Sequence, residues 1–304
     1  MTYPPDRFTG MTPYYHVDVF ATVGYTGNSL AVFIDPPPLR AGQMLLITQE
    51  LRHFETIFVT TLADPGTVRA RVFDLSGELD FAGHPVLGAA GVLHELLGEG
   101  ATRQWTVELP ARTVQVTTRL GDGYLSAVLD QGRPELITPA APLERDQIAE
   151  SVGLTTADLD PELPPQIVST GLRYLIVPVR AGALARARIA RRDFEGFLGG
   201  LGAQFAYVLD AAAMEGRHWN NDGLLEDIAT GSAAGCVAGY LFRHRRIRDG
   251  VPVSLAQGRF AGRPSQITIT ACGTPEEVSR VTVGGAVTVV GNGILRTLPA
   301  ENQV

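Results

Sequence analysis

Two runs of small residues decide the fold of this sequence: FAGHPVLGAAGVLHELL, residues 81–97, and ATGSAAGCVAGYLF, residues 229–242. Each run opens at a glycine turn and continues with Ala, Gly and aliphatic residues. Pro85 stands where a first helical turn tolerates proline. Runs that are apolar nearly all round predict buried helices. Their small side chains allow strands to pack closely around them.

The two runs echo each other along the chain. Gly83 opens the first helix and Gly231 opens the second, 148 residues later, which is about half of the 304 residues. Phe54 and Phe205, each before a predicted strand, are 151 residues apart. Matched spacing indicates a duplicated α/β (α+β) fold, in which each half is a sheet curled around one helix. The alternative is a single α/β sandwich with two unrelated helices. The proline-rich stretch 132–165 is the best candidate boundary.

Composition excludes several classes of chemistry. The chain holds 25 basic residues, all of them Arg, against 32 acidic ones, for a net charge of −7. The absence of Lys excludes a lysine Schiff base and a P-loop lysine. An acidic chain is a poor binder of nucleic acid, which needs clustered cations. The basic run 242–248 is interpreted as a solvated helix end.

Cysteine and histidine usage predicts a reducing environment and no metal. Cys236 and Cys272 cannot build a disulfide framework, and they show no metal-ligand spacing. The six His residues are dispersed without a paired motif. No signal peptide or membrane-spanning run is visible. We therefore expect a cytoplasmic protein that uses no metal and no membrane contact.

Titratable residues lie close to the glycine turns. Glu55 begins a predicted strand beside Phe54, Ile57 and Phe58. A carboxyl group in apolar surroundings has a raised pKa, which suits proton abstraction and return. His84 stands at a helix start, where the neutral imidazole is favoured. The alternatives are a solvated carboxylate and an ordinary buried histidine.

The helix openings themselves are candidate anion sites. A helix that starts after a glycine turn presents backbone N–H groups and a positive dipole end, which suits a small carboxylate. For Ser232 the alternative is a simple helix cap. The sequence around Ser232 lacks the Gly-x-Ser-x-Gly elbow of serine hydrolases.

Five motifs in order carry a resemblance to a known family. The chain resembles the PhzF family of phenazine-biosynthesis-like isomerases over nearly its whole length. The segments that carry the resemblance are VDVFATVGYTGNSLAVFID, HFETIFV, FDLSGELDFAGHPVLGAAGVL, LLEDIATGSAAGCVAGYL and LAQGRFAGRPSQITI.

The resemblance implies a diaminopimelate-epimerase-like fold of two pseudo-symmetric halves. One half would comprise residues 1–130 with 288–304, and the other residues 131–287. The resemblance also implies a cofactor-free isomerase that acts on a small-molecule substrate in a cleft between the halves. Such enzymes are usually homodimers, and the family name points to antibiotic biosynthesis. In the phenazine enzyme a glutamate moves a proton between two carbons of a dihydro-hydroxyanthranilate.

The site residues follow from the family motifs. The resemblance assigns the acid–base role to Glu55 and the orientation of the substrate's polar groups to His84 and Asp227. It assigns substrate contacts, including those of the carboxylate, to the helix openings and one strand: Asn28, Gly83, Gly231, Ser232 and Ala233.

The sequence departs from the family pattern at two places, and two alternative functions stay open. Ile228 follows Asp227 where the family usually has proline, so we expect a less rigid loop. Trp219, Asn220 and Asn221 are candidates for a different substrate pocket. The alternative functions are an amino-acid racemase, whose relatives carry a cysteine at each helix opening, and a non-catalytic metabolite-binding protein.

Overall fold

A computed structural model describes residues 11–97, 100–121 and 123–300. The chain divides into two compact units. Unit 1 comprises Met1–Leu129 with Ala286–Val304, and unit 2 comprises Asp130–Gly285.

The described residues form seventeen strands and five α-helices. The strands are β1 (Thr12–Val19), β2 (Asn28–Ile34), β3 (Glu55–Thr61), β4 (Thr67–Asp74), β5 (Glu78–Leu79), β6 (Thr102–Glu108), β7 (Thr113–Gly121), β8 (Tyr124–Gly132), β9 (Glu135–Ile137), β10 (Gln166–Ser169), β11 (Arg173–Pro178), β12 (Phe205–Asp210), β13 (Glu215–Trp219), β14 (Glu226–Asp227), β15 (Val253–Gln257), β16 (Ser265–Gly273) and β17 (Val278–Leu295). The helices are α1 (Ala41–Leu51), α2 (Gly83–Leu97), α3 (Arg145–Ser151), α4 (Phe194–Leu201) and α5 (Gly231–Arg243).

Unit 1 is a closed barrel. Its strands follow the order β17, β1, β2, β3, β4, β6, β7 and β8. The pairing of β8 with β17 completes the ring. The β2–β3 and β4–β6 pairs are parallel, and the other pairs in the order from β17 to β8 are antiparallel. Helix α1 lies outside, on an aromatic cluster built from Phe33, Phe58 and Phe73.

Helix α2 fills the interior of the unit 1 barrel. It packs against β1, β2, β3, β6 and β7, and its residues from Gly83 to His94 are buried. A Cβ added to Gly91 would lie 2.7 Å from Cγ1 of Val287, and one on Gly88 would lie 2.5 Å from Cδ2 of Leu30. The glycines of the sequence motif therefore set how closely the strands approach the helix.

Unit 2 repeats the arrangement around α5. Its strands follow the order β9, β10, β11, β12, β13, β15, β16 and β17, and α5 packs against β10, β11 and β16. A Cβ added to Gly235 would collide with the side chain of Gln131, and one on Gly239 would meet Pro134 at 2.9 Å. The predicted α/β fold of two curled sheets, each around a central helix, is confirmed.

No helix within the described ranges is both long and apolar enough to cross a membrane.

The close packing of α2 gives the first prediction. Gly91→Ala should lower the free energy of unfolding by about 1–3 kcal/mol, because the new methyl group overpacks against the stiff side chain of Val287. The measurement is urea unfolding followed by circular dichroism. Gly199→Ala in α4 is the matched control, since a Cβ there meets nothing within 4 Å. The control should gain up to about 1 kcal/mol. Equal stability of the two variants would show that α2 is not tightly enclosed.

Candidate active site

The unit 1 site lies where α2, β2 and β3 begin. Glu55 is the first residue of β3, His84 the second of α2 and Asn28 the first of β2. Nδ1 of His84 lies 3.4 Å from Oε2 of Glu55 and 3.5 Å from Nδ2 of Asn28. Asn28 and His84 are only 1% and 6% exposed, whereas the Glu55 side chain is 19% exposed. The structure thus brings together three residues that the sequence predicted for the site.

The contact between Glu55 and His84 is favourable only when one of the two groups carries a proton. A carboxylate oxygen and a bare imidazole nitrogen are both acceptors and repel each other at this distance. The contact is favourable when Glu55 is protonated and donates to Nδ1, or when Nδ1 carries the proton and donates to the carboxylate. The first arrangement stabilises the protonated acid and the second stabilises the carboxylate, and the two differ in which group holds the single proton of the pair.

Glycine conformation sets the position of Asn28. Gly27 has φ +67°, and a Cβ there would collide with the carbonyl oxygen of Val19 on the neighbouring strand. A residue with a side chain fits this close turn poorly. The turn leads directly into β2, so it fixes where the Asn28 amide begins the strand. Gly83, the residue before His84, is buried at the start of α2.

In unit 2, Asp227 is held by its neighbours at the start of α5. The Thr230 hydroxyl donates to Oδ2 of Asp227 at 2.6 Å. Gln257 Nε2 donates to the Asp227 carbonyl at 3.0 Å and to the Thr230 hydroxyl oxygen at 2.9 Å. Gln257 Oε1 accepts from the Thr230 N–H and from the buried hydroxyl of Tyr207. These bonds fix both the backbone and the carboxylate of Asp227.

This network corrects the expectation of a loose loop at Ile228. Ile228 is buried, and its carbonyl oxygen lies where a Cβ on Gly258 would collide with it. Gly258 has φ +85°, in the left-handed region that favours glycine. Gln257 and Gly258 open the Gly-Arg-Phe-Ala-Gly-Arg-Pro-Ser motif. Side-chain hydrogen bonds and close packing thus restrain the segment where the family usually has proline.

The N-terminus of α5 is arranged as an anion site. The side chain of Thr230, the N-cap residue, accepts no hydrogen bond from the first turn. Ser232 is partly exposed, and its Oγ lies 2.8 Å from the hydroxyl of Tyr174. Gly231 and Ala233 are buried beside it. The helix opening presents backbone N–H groups, the dipole end and the Ser232 hydroxyl together.

An arginine that sequence reasoning missed anchors the strand of Asp227. Arg217 in β13 donates from Nε and Nη2 to the two carboxylate oxygens of Glu226, at 2.8 and 2.7 Å. Its Nη1 donates to the carbonyl oxygens of Leu184 and Ala187, at 3.0 and 3.1 Å. Glu226 directly precedes Asp227, so this bidentate pair also positions the aspartate.

Contacts of Arg217 also explain how the Arg-His-Trp segment, residues 217–219, packs. The Arg217 guanidinium lies over the rings of Trp219 and Phe260, at 4.5 and 4.4 Å from their centroids. Trp219 belongs to the buried apolar cluster that includes α3 and α4. The hypothesis that Trp219 lines a substrate pocket is therefore wrong. Asn221 donates to the carbonyl oxygen of Gln204 instead.

The thiol of Cys236 is unsuited to racemase chemistry. It lies buried inside α5, where burial raises the pKa of the thiol to about 12. It contacts the Thr170 hydroxyl at 3.8 Å. A neutral thiol is a poor base near neutral pH. No group of three or more His, Cys, Asp or Glu side chains suited to a metal ion occurs in the described parts of the chain.

Comparison with known proteins identifies the family. The family model for phenazine biosynthesis-like protein, PhzC-PhzF, matches residues 17–293. A trans-2,3-dihydro-3-hydroxyanthranilate isomerase from Pseudomonas fluorescens is 32% identical, over 94% of this chain and 99% of its own. A solved structure of a predicted epimerase from Pseudomonas aeruginosa is 43% identical with a TM-score of 0.86, covering 94% of this chain and 99% of that one.

A PhzF-family phenazine biosynthesis protein from Bacillus anthracis shares the fold, with a TM-score of 0.81 at 22% identity, over 94% of this chain and 99% of that one. The chain belongs to the PhzC-PhzF family of phenazine biosynthesis-like proteins. It is an isomerase, as the resemblance implied.

The buried Arg217–Glu226 pair gives the second prediction. Arg217→Ala should lower the free energy of unfolding by roughly 3–5 kcal/mol, because it leaves the Glu226 carboxylate buried without its partner. Thermal and urea unfolding measure the loss. Arg69→Ala is the matched control, since Arg69 pairs with Glu108 on the surface. The control should lose less than about 1 kcal/mol. A comparably small loss in Arg217→Ala would contradict the anchoring role.

Proposed function

We propose that this isomerase shifts a proton within a small unsaturated cyclic carboxylate, with Glu55 as the acid–base group. The contact between Glu55 and His84 supports this role most directly. A carboxyl group that can take up a proton and release it, with an imidazole in contact, suits removal and return of a proton on one face of a substrate. The amide nitrogen of Asn28 approaches the same Nδ1 atom, at 3.5 Å.

Unit 2 holds groups suited to binding a carboxylate-bearing substrate. The Ser232 hydroxyl and the first N–H groups of α5, at Gly231, Ser232 and Ala233, bind the substrate's carboxylate. Asp227, held by Thr230 and Gln257, accepts hydrogen bonds from the substrate's polar substituents. Gly83 contributes the corresponding N–H group at the start of α2. No step needs a cofactor, because the carboxyl group alone moves the proton.

The named relative suggests the substrate class. The Pseudomonas fluorescens isomerase acts on trans-2,3-dihydro-3-hydroxyanthranilate, which carries a carboxylate, an amine and a hydroxyl group on one unsaturated ring. We propose a substrate with this pattern and a role in the biosynthesis of an antibiotic-like metabolite. The family resemblance alone supports a cytoplasmic location and a homodimer. Sedimentation analysis tests the homodimer.

Isotope exchange tests the role of Glu55, which is the third prediction. The isomerase is incubated with trans-2,3-dihydro-3-hydroxyanthranilate in heavy water, and mass spectrometry measures the deuterium content of the product. The wild type should incorporate deuterium at the carbon that receives the proton. Glu55→Gln should lose at least about 100-fold in turnover, since the amide cannot accept the proton. Its binding of the substrate should change little.

Glu95→Gln is the matched control, because it makes the same change at the exposed end of α2. This variant should retain the wild-type rate. Turnover by Glu55→Gln near the wild-type rate would exclude Glu55 as the acid–base group. Failure of the wild type to turn over this compound would exclude the proposed substrate class.

A further inference from the structure

His218 is a buried polar residue that the proposed mechanism does not use. It lies in β13 and is 5% exposed. Its ring makes edge contacts with the rings of Tyr174 and Phe205, with centroids 5.6 and 5.7 Å apart. In the pairing of β13 with β14 it stands directly opposite Asp227. The residue thus packs between the two substrate-binding features of unit 2.

One hydrogen bond fixes the protonation of the ring. Nδ1 of His218 lies 2.9 Å from the carbonyl oxygen of Ala206. A carbonyl oxygen only accepts, so Nδ1 carries the hydrogen. Burial also lowers the pKa of His218 below its ordinary value, and the nearby Asp227 carboxylate offsets only part of that effect. The ring is therefore neutral at physiological pH, and Nε2 carries a lone pair.

The direction of Nε2 follows from the strand order. Ala206 belongs to β12 and Asp227 belongs to β14. These two strands pair with different residues of β13. Since Nδ1 faces β12, Nε2 faces away from β12. Among residues 11–97, 100–121 and 123–300, no side chain or backbone group makes a hydrogen bond to Nε2.

Nε2 is not among the buried polar atoms that lack a partner in the described structure, so solvent reaches it and a ligand can approach it. The neighbours show what could supply the donor. Tyr174 contacts His218 by its ring and Ser232 by its hydroxyl group. Tyr174 therefore lies in contact with both Ser232 and His218.

We propose that Nε2 of His218 accepts a hydrogen bond from an amino group on the carbon next to the substrate's carboxylate-bearing carbon. This inference rests on the proposed function, because it takes Ser232 and the α5 N-terminus as the carboxylate site. It makes His218 a substrate-contacting residue that selects anthranilate-type compounds over carboxylates that lack the amine. A neutral acceptor beside the Asp227 carboxylate binds an N–H donor and disfavours a second anionic group.

Two substitutions separate the two nitrogens of the ring. His218→Asn keeps an amide N–H near the position of Nδ1, where it can still donate to Ala206, and provides nothing at the position of Nε2. His218→Gln extends its amide to the position of Nε2 and can present an oxygen acceptor there. His244→Asn is the matched control, because His244 follows the opposite end of α5 and bonds to Gln166.

Calorimetry measures the binding of anthranilate and benzoate, which differ only in the 2-amino group. Wild type and His244→Asn should bind anthranilate about three- to tenfold more tightly than benzoate, the usual worth of one hydrogen bond. His218→Asn should lose this preference with little change in benzoate affinity. His218→Gln should regain at least part of it. A general packing defect would lower the affinity for both compounds alike.

Three results would overturn the inference. An unchanged anthranilate preference in His218→Asn would show that Nε2 does not contact the amine. Equal binding of the two compounds by the wild type would show that no group of the protein selects the 2-amino group. Binding of neither compound would remove the carboxylate site, and with it this inference. The exchange experiment on Glu55 is independent, since it reports proton transfer and not selection of the amine.

Discussion

Enclosure of a helix inside a curved sheet is the constraint on which each unit depends. Eight strands can close around α2 only because glycine and alanine occupy the faces that the strands approach, as Gly91 does beside Val287. The enclosed helix then begins at the same end of the barrel as β2 and β3. That coincidence brings His84 to Glu55 and Asn28. Packing, and not a local motif, therefore creates the contact between Glu55 and His84.

The two units share a plan and differ in chemistry. In the parallel strand pairs, Leu30 is paired with Glu55 in unit 1 and Leu175 with Ala206 in unit 2. The position of the carboxyl group in one unit is thus an alanine in the other, whose carbonyl oxygen orients His218. A two-base racemase would need a second base at the corresponding position of unit 2, where the described structure has Ala206.

The sequence predicted what local pattern controls. Glycine turns before small-residue runs predicted both buried helices, and the motifs pointed to Glu55, His84 and Asp227. Residues that act through long-range contacts were not predicted, because no local pattern indicates which strands pair. Tyr174, for example, contacts Ser232 across 58 positions of the sequence. Trp219 was interpreted as a candidate for a substrate pocket, and Arg217 and His218 were not singled out. Strand alternation separates them, with Arg217 and Trp219 on one face and His218 on the other.

The most direct test of the single carboxyl group follows one hydrogen through one turnover. Substrate labelled with deuterium at the carbon that loses its proton is converted in ordinary water, and the product is analysed by mass spectrometry. A shielded carboxyl group that takes and returns the same hydrogen delivers part of the deuterium to the accepting carbon. Product without deuterium at that carbon, even in the first turnover, would contradict a shielded carboxyl group that returns the hydrogen it removed.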